Sequence, residues 1–352
     1  MSGTHHRVVQ WATGNIGTKS LRAVIEHPNL ELVGLYVHSA DKAGKDAGEL
    51  CGAGTTGVVA TNSIDDILAL GADCVLYMQQ GCDFDDVCRI LESGANIVTT
   101  RGEFHRPASM DPAIRRRVED ACAKGGTSIH SIGSSPGFIS EALPLVLLSM
   151  ERSLELLQID EFADMSSRSS PEMLFQLMGF GLDPGKFDVR RFGHIANAFG
   201  PSLSALADAI GMPIDAIEPG GEIAVATRDV VIPAGTVKAG TVAAQSPSVT
   251  GLRHGKPLLR FRANWYVTTD LEPARDLRET GWRVQVHGDT PLDVEIRFPV
   301  EPERYPQVSP GFTAHPAVNA IPVVCDAKPG IRSTFDLPRV VPTLADAPAT
   351  RR

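Results

Sequence analysis

"VVQWATGNIGTKSLRAVIEHPNLELVGLYVHSADKAG", residues 8–44, decides the fold of this chain. It reads as a strand, a glycine turn, a helix and a second strand. The spacing Ala12-x-Gly14-x-x-Gly17 falls between the first strand and the first helix. At such a turn Gly14 lets the backbone approach a pyrophosphate, and Gly17 lets the helix pack closely on the strand. Free N–H groups around Thr13, Asn15 and Ile16, helped by the helix dipole, suit the anion. Alanine at the first glycine position departs from the usual pattern. The plain alternative is a glycine turn of another α/β protein, but the order strand, helix, strand at the start of the chain favours a dinucleotide site.

In NAD-specific folds an acidic residue about 20 positions on, at the end of the second strand, holds the ribose hydroxyls. That place here reads Val37-His38-Ser39-Ala40, with Asp41 a few residues late and Lys42 and Lys45 following. His38, Ser39 and Lys42 suit a 2′-phosphate, so NADP(H) is the favoured cofactor and NAD(H) an accepted one. The alternative is a solvated polar loop.

Outward from this stretch, the first 150 residues alternate β-rich runs with helical patterns. Strands are expected at Arg7–Ala12, Leu30–Val37, Gly57–Ala60, Cys74–Met78, Asn96–Thr99 and Ser128–Ser131. Helices are expected at Ile16–Glu26, Ile64–Leu70, Phe84–Ser93, Pro112–Lys124 and Ser140–Met150, with start signals at Ser63 and Asp111-Pro112. This alternation implies an α/β chain with an N-terminal Rossmann domain, a doubly wound parallel sheet over residues 1–150. Helical pieces at Pro171–Met178 and Leu203–Ile210 lead into long β-rich runs. Trp282, Val284 and Val286 share one face, as do Val294, Ile296 and Phe298, and a further hairpin turns near His254-Gly255. Residues 151–310 therefore form an α+β domain with a large, open, mostly antiparallel sheet. Residues 311–337 return to complete the first domain, and 338–352 form an extended tail. An open sheet with exposed edges favours a homodimer.

At 352 residues the chain suits about two domains. Its 43% hydrophobic and 21% charged content is that of a globular protein, and the net charge of −9 argues against a nucleic-acid binder. The longest apolar run, Ala142–Met150, is about half of what a bilayer needs. No secretory leader precedes the first strand, and six cysteines without a CxxC pair suit a reducing cytoplasm. Ten scattered histidines offer no metal site.

Ligands of open α/β sheets bind at the carboxyl ends of the strands. Gln79 follows the fourth strand, "TTRGEFHRP" the fifth and "SIGSSPGF" the sixth. Glu103, flanked by Arg101 and His105, is a candidate general acid/base; otherwise it is a solvated loop charge. Gly133 and Ser134 suit a nicotinamide carboxamide, or else cap an ordinary helix.

Together "VTTRGEFHRP", "PGFISEALPLVL", "EMLFQLMGFG", "AVNAIPVV" and the opening stretch resemble one branch of the dihydrodipicolinate reductase-like proteins. That branch holds 2,4-diaminopentanoate dehydrogenase and the native amine dehydrogenases. Dihydrodipicolinate reductase itself carries a His-His-x-x-Lys segment that "EFADMSSRSSPEMLFQLMGFG" lacks, so its reaction is not expected. The resemblance implies NAD(P)H-dependent reductive amination of small aldehydes or ketones with ammonia, and the reverse deamination, with Glu103 handling ammonia. "GSSPGF" departs from the more usual "TGxNPGF".

Phe138, Met173, Leu177 and Phe180 are candidate walls of a substrate pocket between the domains; plain core is the alternative for each. Asn319 reaches the cofactor or satisfies backbone. Two rival functions remain: a carbonyl or imine/diamine oxidoreductase of the same fold, and a non-catalytic NADP(H) sensor.

Overall fold

The computed structural model describes residues 5–344. Contacts divide the chain into two units, residues 1–138 with 307–352, and residues 139–306.

In the first unit β1 (His6–Trp11), β2 (Leu30–Tyr36), β3 (Ala60–Thr61), β4 (Cys74–Tyr77), β5 (Asn96–Thr99) and β6 (Ser128–Ser131) join a short edge strand, Gly330–Arg332. The order is edge strand-β6-β5-β4-β1-β2-β3, and every pairing is parallel. The chain winds outward from β1 in one direction, then returns to wind the other way from β4. The order reverses between β1 and β4, where such sheets open a crevice for ligands. The edge strand lies beyond the expected elements, because three residues carry too little pattern.

Alternation along each strand explains the two covered faces. Val8, Cys74, Leu76 and Val98 point to one side, with Val24 of α1 (Asn15–Glu26) and Ala317, Val318, Ile321 and Val324 of the C-terminal helix Tyr305–Cys325. Val9, Trp11, Val75, Tyr77 and Ile97 point to the other side. Four further helices follow in this unit: α2 (Ala47–Cys51), α3 (Ile64–Leu68), α4 (Phe84–Glu92) and α5 (Pro112–Gly125). Val87, Ile90 and Leu91 of α4 and Val118 and Ala121 of α5 join the second core. Each such aliphatic side chain contributes about 1.5–3 kcal/mol by leaving water. Ser63 accepts from the Asp66 N–H at 3.3 Å, and Asp111 accepts from Ala113 and Ile114 at 2.9 and 3.1 Å, as their cap patterns imply. The third strand is shorter than its expected span, and α2 was not legible at all. Residues 338–344 carry no regular secondary structure, and the rest of the tail, 345–352, lies outside the described residues.

A kinked helical segment, Ser134–Ala142, spans the boundary between the units, and in it Ser135, Pro136 and Gly137 leave helical geometry. Regular helix is confined to α6 (Leu143–Leu148), which corrects the expected Ser140–Met150 helix at its start. By contrast α7 (Gly193–Ala209) is longer than expected, since Pro201 lies inside it and breaks the pattern that sequence reading follows. Nine strands follow or flank these helices: β7 (Leu154–Asp164), β8 (Ala216–Ala226), β9 (Val230–Ile232), β10 (Gly235–Val237), β11 (Val242–Arg253), β12 (Lys256–Tyr266), β13 (Leu271–Glu272), β14 (Gly281–Gly288) and β15 (Leu292–Arg297). Seven of them form the sheet β13-β8-β11-β12-β7-β14-β15. Every pairing is antiparallel except β12 with β7. Trp282 pairs with Ile296 and Val284 with Val294, as the alternation implies. His254 and Gly255 have φ of 52° and 72°, the double left-handed turn that joins twisted hairpin strands. On one face Phe199 of α7 stacks on Phe261 at 3.6 Å. On the other, the register aligns Asp160, Arg262, Ser248 and Arg283.

Candidate active site

The glycine turn is built by a buried polar side chain. Gln10 lies in β1 with no solvent exposure. Its Nε2 donates to the Ala12 carbonyl at 2.9 Å, and its Oε1 accepts from Ser20 Oγ at 2.7 Å on α1. The strand, the turn and the helix are thereby tied together. Ala12 takes φ 72°, the left-handed conformation for which the first glycine of this motif is normally used. A Cβ on Gly17 would stand 2.3 Å from the Ala12 carbonyl oxygen, so Gly17 is required by helix–strand packing. A Cβ on Gly14 would meet nothing within 4 Å. No protein atom explains that glycine, and α1 starts there without a side-chain cap or an acidic first turn. Open approach, uncapped N–H groups and an unopposed dipole fit a dinucleotide pyrophosphate.

At the reversal point Gln79, just beyond β4, reaches across to β1 and β2. Its Oε1 accepts from Trp11 Nε1 at 2.8 Å and lies 2.7 Å from His38 Nε2. Its Nε2 donates to the Tyr77 hydroxyl and to the Gly81 carbonyl. Trp11 stacks on Tyr36 with centroids 3.8 Å apart, and His38 meets Tyr36 edge-on at 5.1 Å. Burial pushes the Tyr77 hydroxyl above the usual phenol range. Lys42 Nζ folds back onto Thr13, 3.2 Å from its carbonyl and 3.1 Å from Oγ1, which places an ammonium at the glycine turn. The Ser39 hydroxyl is bonded to Asp41.

Beyond β5 a single 3-10 turn, Gly102–Phe104, carries Glu103. The turn is fixed on both sides. Phe104 is fully buried and meets Phe84 edge-on, and Ser131 at the end of β6 donates to the Arg101 carbonyl. Arg101 Nη2 holds Glu103 Oε1 at 2.9 Å. Glu103 Oε2 is buried and has no hydrogen-bond partner among the described residues. Burial first, and the Glu103 charge second, push the neighbouring Cys82 thiol up to about 12, with Arg101 acting against them. That thiol is inert as a nucleophile. Ser134, after β6, shares a 2.7 Å hydrogen bond with Thr313 of the C-terminal helix. A Cβ on Gly133 would crowd Pro136 and Thr313, which explains that glycine by packing. Asn319 is half-buried on the same helix as Thr313.

Residues 138–351 match the family model of the 2,4-diaminopentanoate dehydrogenase C-terminal domain, and residues 8–81 match the dihydrodipicolinate reductase N-terminus. The chain belongs to the amine and 2,4-diaminopentanoate dehydrogenase branch of the dihydrodipicolinate reductase-like proteins. It is 28% identical to an amine dehydrogenase of Streptomyces virginiae, over 94% of this chain and 95% of that one. With a 2,4-diaminopentanoate dehydrogenase of Acetoanaerobium sticklandii it shares 24% identity over 80% and 78% of the two chains. Among solved structures, an amine dehydrogenase from Mycobacterium smegmatis superposes with TM-score 0.74 at 18% identity, over 96% of this chain and 97% of that chain. The two-sheet architecture is therefore that of the amine dehydrogenase fold.

For a member of this branch the four apolar candidates divide. Phe180 is 1% exposed, packed with Leu174, Val237, Ala244 and Tyr266. It is core, which corrects its reading as a wall. Met173 is half-buried against that same core, while Leu177 is 72% and Phe138 40% exposed. Two features of the site were missed in the sequence. Gln10 was passed over, although a glutamine within an apolar strand is the signal of a buried polar clamp. Thr313, the partner of Ser134, lies 179 residues away and leaves no local signal.

Proposed function

We propose that this chain catalyses the NAD(P)H-dependent reductive amination of small apolar aldehydes or ketones with ammonia, and the reverse oxidative deamination. It is an oxidoreductase of the amine dehydrogenase kind, acting on CH–NH2 groups. The observation that carries the reaction is the pair of unlike oxygens on Glu103: Oε1 is tied to Arg101, and Oε2 is buried with no partner among the described residues. A buried carboxylate oxygen left this way is open to an N–H or O–H of a substrate, since it is otherwise without a hydrogen bond.

The glycine turn and the first turn of α1 would hold the pyrophosphate through Thr13, Gly14, Asn15, Ile16 and Gly17. His38 and Ser39 would hold the adenosine ribose, with Gln79 orienting His38 and the Lys42 ammonium beside the glycine turn, and Gly133, Ser134 and Asn319 the nicotinamide end. A nicotinamide cofactor, when bound, supplies or accepts the hydride. Glu103 Oε2 takes a proton from ammonium, freeing ammonia to add to the carbonyl carbon. Oε2 then returns that proton to the departing hydroxyl of the carbinolamine, which leaves as water. The carboxylate so regenerated faces the positive charge of the iminium and stabilises its formation, the electrophile that then receives the hydride. Arg101 keeps Oε1 in place, so one oxygen does the proton work. Phe138 would present apolar surface to the substrate.

NADP(H) is the favoured form, because β2 ends in an imidazole where NAD-specific folds place a carboxylate; NAD(H) is accepted. A homodimer completes this reading, supported by a second sheet whose edge strands, β13 and β15, each pair on one side only among the described residues.

The test is NADPH oxidation with small aldehydes and cyclic ketones, with and without ammonium at mildly alkaline pH. Consumption that needs ammonium and yields amine is the expected result. Equal consumption without ammonium makes the chain a carbonyl reductase, and NADPH binding without turnover on any carbonyl makes it a sensor. Glu103→Gln should keep the fold and cofactor affinity while losing about 10²–10⁴ in amination rate, the usual range for a positioned acid/base. Turnover at the wild-type rate would remove Glu103 from the mechanism.

A further inference from the structure

Trp11 Nε1 can only donate, and the Gly81 carbonyl can only accept. The Gln79 amide lies between them, so its oxygen must face Trp11 at 2.8 Å and its NH2 must face Gly81 at 3.5 Å. Both ends of the amide agree. The atom 2.7 Å from His38 Nε2 is therefore the same oxygen. An oxygen acceptor there requires that Nε2 carry a hydrogen, whether the imidazole is neutral or charged. All change on protonation then falls on Nδ1: a lone-pair acceptor in the neutral ring, an N–H donor in the cation.

His38 stands two residues past β2 and is solvent-exposed. That is where a dinucleotide fold meets the adenosine ribose. A ribose 2′-hydroxyl can donate to a neutral Nδ1. A 2′-phosphate has only acceptors to offer when fully ionised, and so needs Nδ1–H. We propose that Gln79 is a positioning residue that makes His38 a pH-dependent selector between the 2′-phosphate of NADP(H) and the 2′-hydroxyl of NAD(H). This rests on the reading of the first unit as a nicotinamide dinucleotide site.

The charges around the imidazole strengthen the selection. Asp86 on α4 faces it, with its carboxyl raised by burial and by Asp83 and lowered by Arg89 and His38. Asp83 caps the start of the same helix, and Asp85 follows in its first turn, bonded to Arg117 of α5. On the turn after β2, Asp41 is bonded to Ser39. Tyr36 presents its ring edge-on, and Tyr77 and Trp11 reach the imidazole only through Gln79. Lys42 is drawn away to Thr13, at the glycine turn. With His38 neutral the imidazole offers a 2′-phosphate neither a donor nor a charge, and the preference for NADP(H) narrows. With His38 charged, a donor and a cation appear together at the ribose.

The test measures dissociation constants of NADP+ and NAD+ by calorimetry over roughly pH 5 to 8, where an imidazole changes charge. Wild type, His38→Gln, Gln79→Leu and Gln79→Glu are compared. In the wild type the ratio Kd(NADP+)/Kd(NAD+) should climb by about tenfold or more with rising pH, the worth of one charge-assisted hydrogen bond. His38→Gln retains only the slope that the phosphate's own titration imposes. Gln79→Leu should weaken the rise, because the ring loses its fixed tautomer and orientation. Gln79→Glu should carry the rise to higher pH, since a carboxylate on Nε2–H holds the cation; a merely structural role would leave the profile where it was. A wild-type slope equal to that of His38→Gln, or a Gln79→Glu profile superimposed on the wild type, overturns the proposal while leaving the dinucleotide site intact. Failure of the wild type to bind either dinucleotide overturns both.

Discussion

Gly14 and Gly17 belong to one turn, yet the space around them differs, and the difference separates function from packing. A methyl on Gly17 collides with the Ala12 carbonyl, so Gly17→Ala should cost about 1–3 kcal/mol of stability, as overpacked cores do. Gly14→Ala has open space and should cost less than about 1 kcal/mol, the ordinary price of alanine at a helix N-cap. Its effect should appear in cofactor affinity, weakened by about tenfold or more because the methyl stands where the pyrophosphate approaches. Chemical denaturation and cofactor titration of the two variants check this, and equal behaviour in both would show that the turn has no ligand. Ala12 supplies a third comparison. It holds φ 72° at a cost of about 1–2 kcal/mol, so Ala12→Gly should be neutral or stabilising despite the lost methyl. The motif was legible in the sequence through spacing alone, whereas the strain at Ala12 and the Gln10 clamp were not, since both depend on which atoms meet across the turn.

At the scale of elements, one carboxylate organises the loop between β2 and β3. Asp46 caps α2 and accepts from the N–H groups of Gly48, Thr56 and Gly57 and from the Thr56 hydroxyl. Desolvation pushes its pKa up, but these four donors outweigh it and hold the group at about 2. In the unfolded chain an aspartate titrates near 3.9. The loop's contribution is therefore complete above about pH 4 and is lost as pH falls through about 2, because the unfolded state takes up the proton first. Asp46→Asn should be less stable than wild type near neutral pH and show a shallower loss between about pH 4 and 2. Thermal melts across that range check it, and parallel acid limbs in the two proteins would remove Asp46 from the acid response. The sequence showed neither α2 nor this loop, because "DAGELCGAGTTG" has no apolar period. The elements that were legible, such as Asn96–Thr99 and Ser128–Ser131, are short runs set between helices in the interior of a parallel sheet.

For the whole molecule, assembly is the property to measure. If the open sheet of the second unit pairs with a second copy, light scattering on a sizing column should give twice the 37.6 kDa of the chain. A mass of one chain at micromolar concentration would show that this sheet stands alone, as a solvated antiparallel face can. The sequence by itself determined the α/β class, the parallel sheet, the second antiparallel sheet and the position of Glu103 just beyond β5, because these follow from local period, turn residues and order along the chain. Only the tertiary structure decided which residues share a site. It joined Ser134 to Thr313, gathered Trp11, His38 and Gln79 at one point from three strand ends, left one Glu103 oxygen partnered and the other not, and put Phe180 into the core. Those outcomes depend on contacts between residues far apart in the chain, and hydrophobic period and turn chemistry carry no record of them.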